Sequence, residues 1–102
     1  MNKQMIWDEA CAVMRSELTQ VSFNTWIGSG LRPLGCSGDQ FFIEAVTPFY
    51  HQYIVPRFSV LISNSLSQVV GKPMEAVILT PAQADEYREG VVPEEKPADN
   101  SS

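Results

Sequence analysis

Basic clusters, histidine, cysteine and long apolar runs are all scarce in this 102-residue chain, and each scarcity removes a class of function. Residues 1–80 carry five bases (Lys3, Arg15, Arg32, Arg57, Lys72) against six acids, scattered singly. A protein that grips nucleic acid strongly neutralises several phosphates from one basic face, and no such cluster exists here. His51 is the only histidine. It has no matched nucleophile or second ligand, so neither acid–base catalysis nor a metal site is expected. The two cysteines, Cys11 and Cys36, are too few and too far apart for a metal motif or a C-x-x-C redox pair. Cys11 reads as a small helix hydrophobe, and two free thiols fit a reducing cytosol. No stretch approaches the roughly 18 apolar residues of a membrane helix. Lys3, Asp8 and Glu9 interrupt any apolar leader, so a cytoplasmic location is expected. A G-x-S-x-G elbow and a Gly-rich phosphate loop ending in Lys-Ser/Thr are both missing. The expectation is a protein that is not an enzyme and takes no cofactor.

Apolar residues, in contrast, make up 44% of the chain, enough for one small core. The net charge of −5 lies mostly at the end, since residues 81–102 carry two bases against six acids. The chain is organised around Thr19–Ile27. Thr19 is placed to cap a helix, and Leu18 with Phe23 makes a hydrophobic staple. Phe23, Trp26 and Ile27 follow at helical spacing, which puts all three on one core-facing side, and Gly28 and Gly30 stop the helix. Upstream, residues 3–18 read as a first helix whose apolar arc, Trp7 included, spans about 160°. One core needs only about 100°, so either the face is simply wide with Trp7 buried, or one edge meets a partner.

Leu31–Gly35 and Phe41–Val46 read as a hairpin turning at Gly35–Asp39. Thr47-Pro48 opens a third helix, with apolar residues at Ile54, Phe58, Leu61, Ile62, Leu66, Val69 and Val70. Pro56 inside it predicts a kink or break near residues 52–56. Gly71 and Pro73 end it, and Glu75–Leu79 reads as a third strand. The order α-α-β-β-α-β gives an α+β domain over 1–80, with a three-stranded sheet and helices segregated on one of its faces. Residues 81–102 are acidic and Pro-bearing and read as a disordered linker, with a short helical turn around Ala82–Arg88 as the exception.

Gly35-Cys36-Ser37-Gly38 matches the G-x-x-G of RNA-binding KH modules, but it joins two strands, lacks Lys and Arg, and runs into Asp39, so it reads as a turn. The aromatics that a small core does not absorb are Trp7, Phe49, Tyr50 and Tyr53. Phe49, just after the cap, is either a protein-binding anchor or packs back on the second strand.

From Trp7 to Leu79 the chain resembles the N-terminal domain (domain I) of the bacterial replication initiator DnaA. The resemblance rests on Trp7 in helix 1, Leu18-Thr-Gln-Val-Ser-Phe23-Asn-Thr-Trp26-Ile27, Gly38-Asp39 with the apolar strand, Ala45-Val-Thr-Pro-Phe49, the long apolar helix, Gly71 and the last strand. It implies a KH-like α+β interaction hub that self-associates and contacts the replicative helicase, its loader or initiation regulators. Trp7 matches the position linked to self-association. Ser22, Phe49 and Tyr50 fall on the helicase or regulator surface, Ser22 standing where some members carry an acid. Alternatives are a KH-like module with weak single-stranded nucleic-acid binding, and a stand-alone regulator that associates with the initiator. No membrane partner is implied.

Overall fold

Side-chain caps at four positions set where the helices begin. The structure, a computed structural model, describes residues 2–90. Helix α1 is Lys3–Glu17, opened by Asn2, whose side chain accepts from the Met5 amide at 2.9 Å. Thr19 caps α2 (Gln20–Ser22, continuing over Phe23–Gly28) as expected, accepting from the Ser22 amide at 3.1 Å. Thr47 caps α3 (Pro48–Val70), with Pro48 in the first turn, where a missing N–H costs nothing. Thr80 opens α4 (Pro81–Arg88) through a full capping box with Gln83.

Helix α2 departs from its expected winding. It runs as α-helix over Gln20–Ser22 and continues as π-helix over Phe23–Gly28, closed by the Ser29 amide on the Asn24 carbonyl at 3.0 Å. An i→i+5 turn holds more residues than an α-turn, so position i+3 falls further short of a full circle. Trp26 therefore swings off the line joining Phe23 and Ile27. Those two are core residues, whereas Trp26 is only half-buried at the core margin. The expectation that all three share one buried face is corrected accordingly.

The sheet contains β1 (Leu31–Ser37), β2 (Gln40–Ala45) and β3 (Glu75–Leu79) in the order β1-β2-β3. β1 and β2 form the antiparallel hairpin, with a bulge between Pro33 and Gly35. The G-x-x-G residues are the end of β1 and its turn. β2 and β3 pair in parallel, and α3 is the crossover that parallel pairing requires. Gly71 ends α3 in the left-handed region (φ 86°), where a Cβ is disfavoured. The free edge of β3 is closed by side chains of α3: Ser63 Oγ accepts from the Ala76 amide at 2.9 Å, and His51 Nε2 donates to the Ile78 carbonyl at 2.9 Å. Capping an edge in this way removes a template for pairing with another chain.

Both faces of the sheet are covered. Phe41, Ile43, Ala45 and Ile78 join Ala10, Met14, Ile54, Ile62 and Leu66 in the main core under α1, α2 and α3. The alternate residues, Phe42, Val77 and Leu79, form a second cluster with Ala84 of α4, flanked by Leu34 and Tyr87. Arg88 pairs with the buried Glu44 on this side. The one-faced arrangement is thus corrected, for a reason written in the strands. Phe-Phe-Ile-Glu-Ala and Glu-Ala-Val-Ile-Leu are nearly continuous apolar runs, which is how strands buried on both faces read. The ordered fold consequently runs past residue 80, and the expected helical turn is an eight-residue helix. The rest of the expected linker, 91–102, lies outside the described residues.

Pro56 does not break α3, which is continuous from Pro48 to Val70. Proline deprives the Gln52 carbonyl of its donor, but both residues lie on the exposed side, where water can take that place. One residue on, the Arg57 side chain folds back on the helix, Nη1 donating to the Tyr53 carbonyl at 3.1 Å.

Candidate functional site

The most conspicuous feature of the surface is an aromatic layer where α2 meets the first turns of α3. The swing of Trp26 places its ring flat on Tyr53, with centroids 3.8 Å apart and planes 12° from parallel. Tyr50 lies at 5.2 Å and Phe49 at 6.3 Å from the same indole, both tilted. The Arg57 guanidinium sits 3.8 Å from the Tyr53 ring centroid. Trp26 and Arg57 are thus both stacked against Tyr53. Such contacts are each worth about 0.5–1.5 kcal/mol beyond simple burial.

Gly30 makes this packing feasible. A Cβ there would collide with the Trp26 carbonyl and the Tyr50 ring, so no other residue lets α3 approach α2 so closely. The assignment of Gly30 as a mere helix stop understated it. Its carbonyl also accepts from the Val46 amide at 3.0 Å, tying the layer to the end of the hairpin.

Phe49 projects from this layer with 62% of its surface exposed, so it does not pack back onto the second strand. Between it and Arg57 lies an open recess of about 250 Å³ lined by Phe49, Gln52, Tyr53 and Arg57. The recess is well placed for an apolar anchor because the side chains around it are already fixed by stacking.

Of the residues singled out in the sequence, Phe49 and Tyr50 come together here. Tyr50 is half-buried and edge-on to Phe49 at 6.2 Å. Ser22 is half-buried in α2, one turn before Trp26, with its amide on the Thr19 cap. Trp7 is not part of this surface. It is 5% exposed and stacks on Phe41 at 6.2 Å and 15°, inside the main core. The wide-core alternative therefore describes it, and the exposed edge of α1 is formed by other residues, Met5 among them. Trp26, Tyr53 and Arg57 were missed as members of one surface. The signal available was the i, i+4, i+8 stripe of Phe49, Tyr53 and Arg57 on α3.

Other chemistry is thin. Burial pushes the Cys11 thiol from 9.0 up to about 11, with Arg15 pulling the other way, so it is a poor nucleophile. Cys36 is exposed. Among the described residues no group of three or more His, Cys, Asp or Glu side chains could hold a metal ion, and no helix is long and apolar enough to cross a membrane.

Residues 4–68 match the profile of the family described as DnaA N-terminal domain. Similar relatives are proteins called chromosomal replication initiator protein DnaA. The one from Caldanaerobacter subterraneus subsp. tengcongensis is 33% identical over 86 residues, covering 84% of this chain and 19% of the relative. The one from Geobacter sp. (strain M21) is 32% identical over 92 residues, 90% of this chain and 19% of the relative. The one from Chlorobaculum tepidum is 26% identical over 83 residues, 78% and 17% respectively. The chain thus spans about a fifth of the length of the relatives it matches.

Proposed function

The chain belongs to the DnaA N-terminal domain family, and on that premise we propose that it is the non-catalytic interaction domain of a cytoplasmic replication initiator. In this reading it self-associates and recruits the replicative helicase, its loader or an initiation regulator to the origin. The observation that carries it is Phe49, a large apolar side chain held outward on a rigid aromatic base beside an open recess. An apolar side chain that is neither buried nor mobile on a flexible loop is the usual form of a binding hot spot. Tyr50 flanks it by ring contact, and Ser22, in the first turn of α2, is assigned to the same surface. Self-association runs through α1. Trp7 contributes from beneath, by fixing that helix on the sheet through Phe41 rather than by touching a second copy.

The deciding experiment is Phe49→Ala. Because most of the ring is already in water, the fold loses no more than about 1 kcal/mol. Capture of purified cognate helicase, measured by biolayer interferometry, falls at least tenfold, as expected for loss of a central anchor. Unchanged capture with the fold intact would overturn the assignment of this surface.

A further inference from the structure

The surface that carries Phe49 has an unusual charge pattern. Neither α2 nor α3 contains a single Asp or Glu, although the chain as a whole has twelve acids against seven bases. Arg57 is the only permanent charge on these two helices. Among the described residues only Lys72, on Asp39, and Arg88, on Glu44 and Asp85, have a carboxylate within 4.0 Å; Arg57, like Lys3, Arg15 and Arg32, has none. It is nevertheless held in place, one end of its guanidinium donating to the Tyr53 carbonyl and its flat face lying on the Tyr53 ring. A cation positioned in advance and left without a counter-ion retains N–H groups aimed at solvent. Those groups suit the fork geometry of a carboxylate. The ring beneath also spares the side chain much of the ordering cost that an exposed Arg ordinarily meets on binding.

We propose that the protein segment docking on this surface presents an apolar side chain next to a carboxylate. The apolar side chain fills the recess between Phe49 and Tyr53, and the Asp or Glu pairs with Arg57. The inference rests on the proposed role of Phe49 and adds the chemistry of the partner. The lack of Asp and Glu on α2 and α3 makes the pair selective. A basic residue at the same place meets Arg57 with no neighbouring acid to offset the repulsion, and a neutral one leaves the guanidinium without its counter-ion.

Two probes test it separately from the reading beneath it. The first is a short helical peptide with Leu and Glu one turn apart, compared with its Glu→Gln and Glu→Lys twins, followed by the NMR signal of the Trp26 indole. The Glu peptide binds about two- to fivefold tighter than the Gln twin at low salt, and the Lys twin binds weakest. That advantage shrinks as salt rises and disappears in Arg57→Gln. Phe49→Ala removes binding of all three. Equal affinity of the Glu and Gln peptides, a salt-independent preference, or no binding by any of them overturns the proposal. The second probe is the purified cognate helicase. Weakened capture by Phe49→Ala with unchanged capture by Arg57→Gln refutes the carboxylate contact while leaving the Phe49 surface standing. Unchanged capture by Phe49→Ala refutes the surface itself.

Discussion

Replacing Trp7 by alanine separates a core role from an interface role more sharply than any other single change. The indole is almost wholly buried and stacked on Phe41, with Ala10, Met14 and Ile78 in the same cluster. Truncating a buried aromatic removes its transfer free energy and leaves a cavity, together about 3–5 kcal/mol. A domain of this size has on the order of 5–10 kcal/mol in total, so the variant keeps about 7 kcal/mol at best and at worst does not fold. In urea, with a slope of about 1–1.5 kcal/mol per molar, the midpoint falls by about 2–5 M. The melting temperature falls by at least ~12 °C. The assay is unfolding followed by circular dichroism, at a concentration where both proteins are monomeric, because self-association would add its own stabilisation. Trp7→Phe is the companion. It keeps an aromatic ring against Phe41, loses about 1–2 kcal/mol through the smaller cavity, and self-associates like the parent in sedimentation equilibrium. A Trp7→Ala protein that loses less than about 1 kcal/mol would refute the placement of this ring in the core. A well-folded Trp7→Phe protein that no longer self-associates would show that the indole itself meets the second copy.

Tyr87→Ala removes the ring that packs on Phe42 at 4.9 Å, which frees α4 from the outer sheet face. Increased binding of an apolar dye and faster amide exchange at Phe42 and Val77, with the main core protected, are the expected readouts. Pro56→Ala restores a donor for the Gln52 carbonyl on the exposed side of α3 and stabilises the protein by about 1–3 kcal/mol; a lower melting temperature would show that the proline fits the helix better than its missing bond suggests. Cys11 gives a pH signature. Its folded thiol holds its proton up to about 11, while an ordinary thiol near 9.0 releases it earlier, so the unfolded chain binds fewer protons between those values. Its contribution is therefore complete below about pH 9 and lost as pH rises through about 11, a decline that Cys11→Ala abolishes in alkaline melts. At pH 8, a thiol reagent labels Cys36 long before Cys11.

Much of this architecture is local chemistry and was legible as such. Thr19, Thr47-Pro48, Gly71 and the Glu75–Leu79 run each fix an element boundary through caps, ring constraints or β-propensity, and those act within a few residues. The family, too, was legible, with Ser22 to Ile27 as the most specific part of a match that runs over residues 4–68. Three things were not local. The winding of α2 depends on whether Trp26 finds a better partner outside the core, and Tyr53 is 27 residues away in sequence. The fate of residues 81–88 depends on the outer sheet face, whose apolar residues Phe42, Val77 and Leu79 come from two strands separated by the whole of α3. An acidic, Pro-bearing composition says little about a helix that needs to bury only Ala84 and Tyr87. The exposure of Phe49 and the burial of Trp7 are a third case. Both are aromatics at the margin of an apolar face, and periodicity cannot rank them. The sequence by itself determined the helices and strands as far as Leu79 and which family the chain belongs to. Tertiary structure alone decided which aromatic faces water, because that depends on how α2 and α3 meet across Gly30, where only a missing side chain lets the two helices touch.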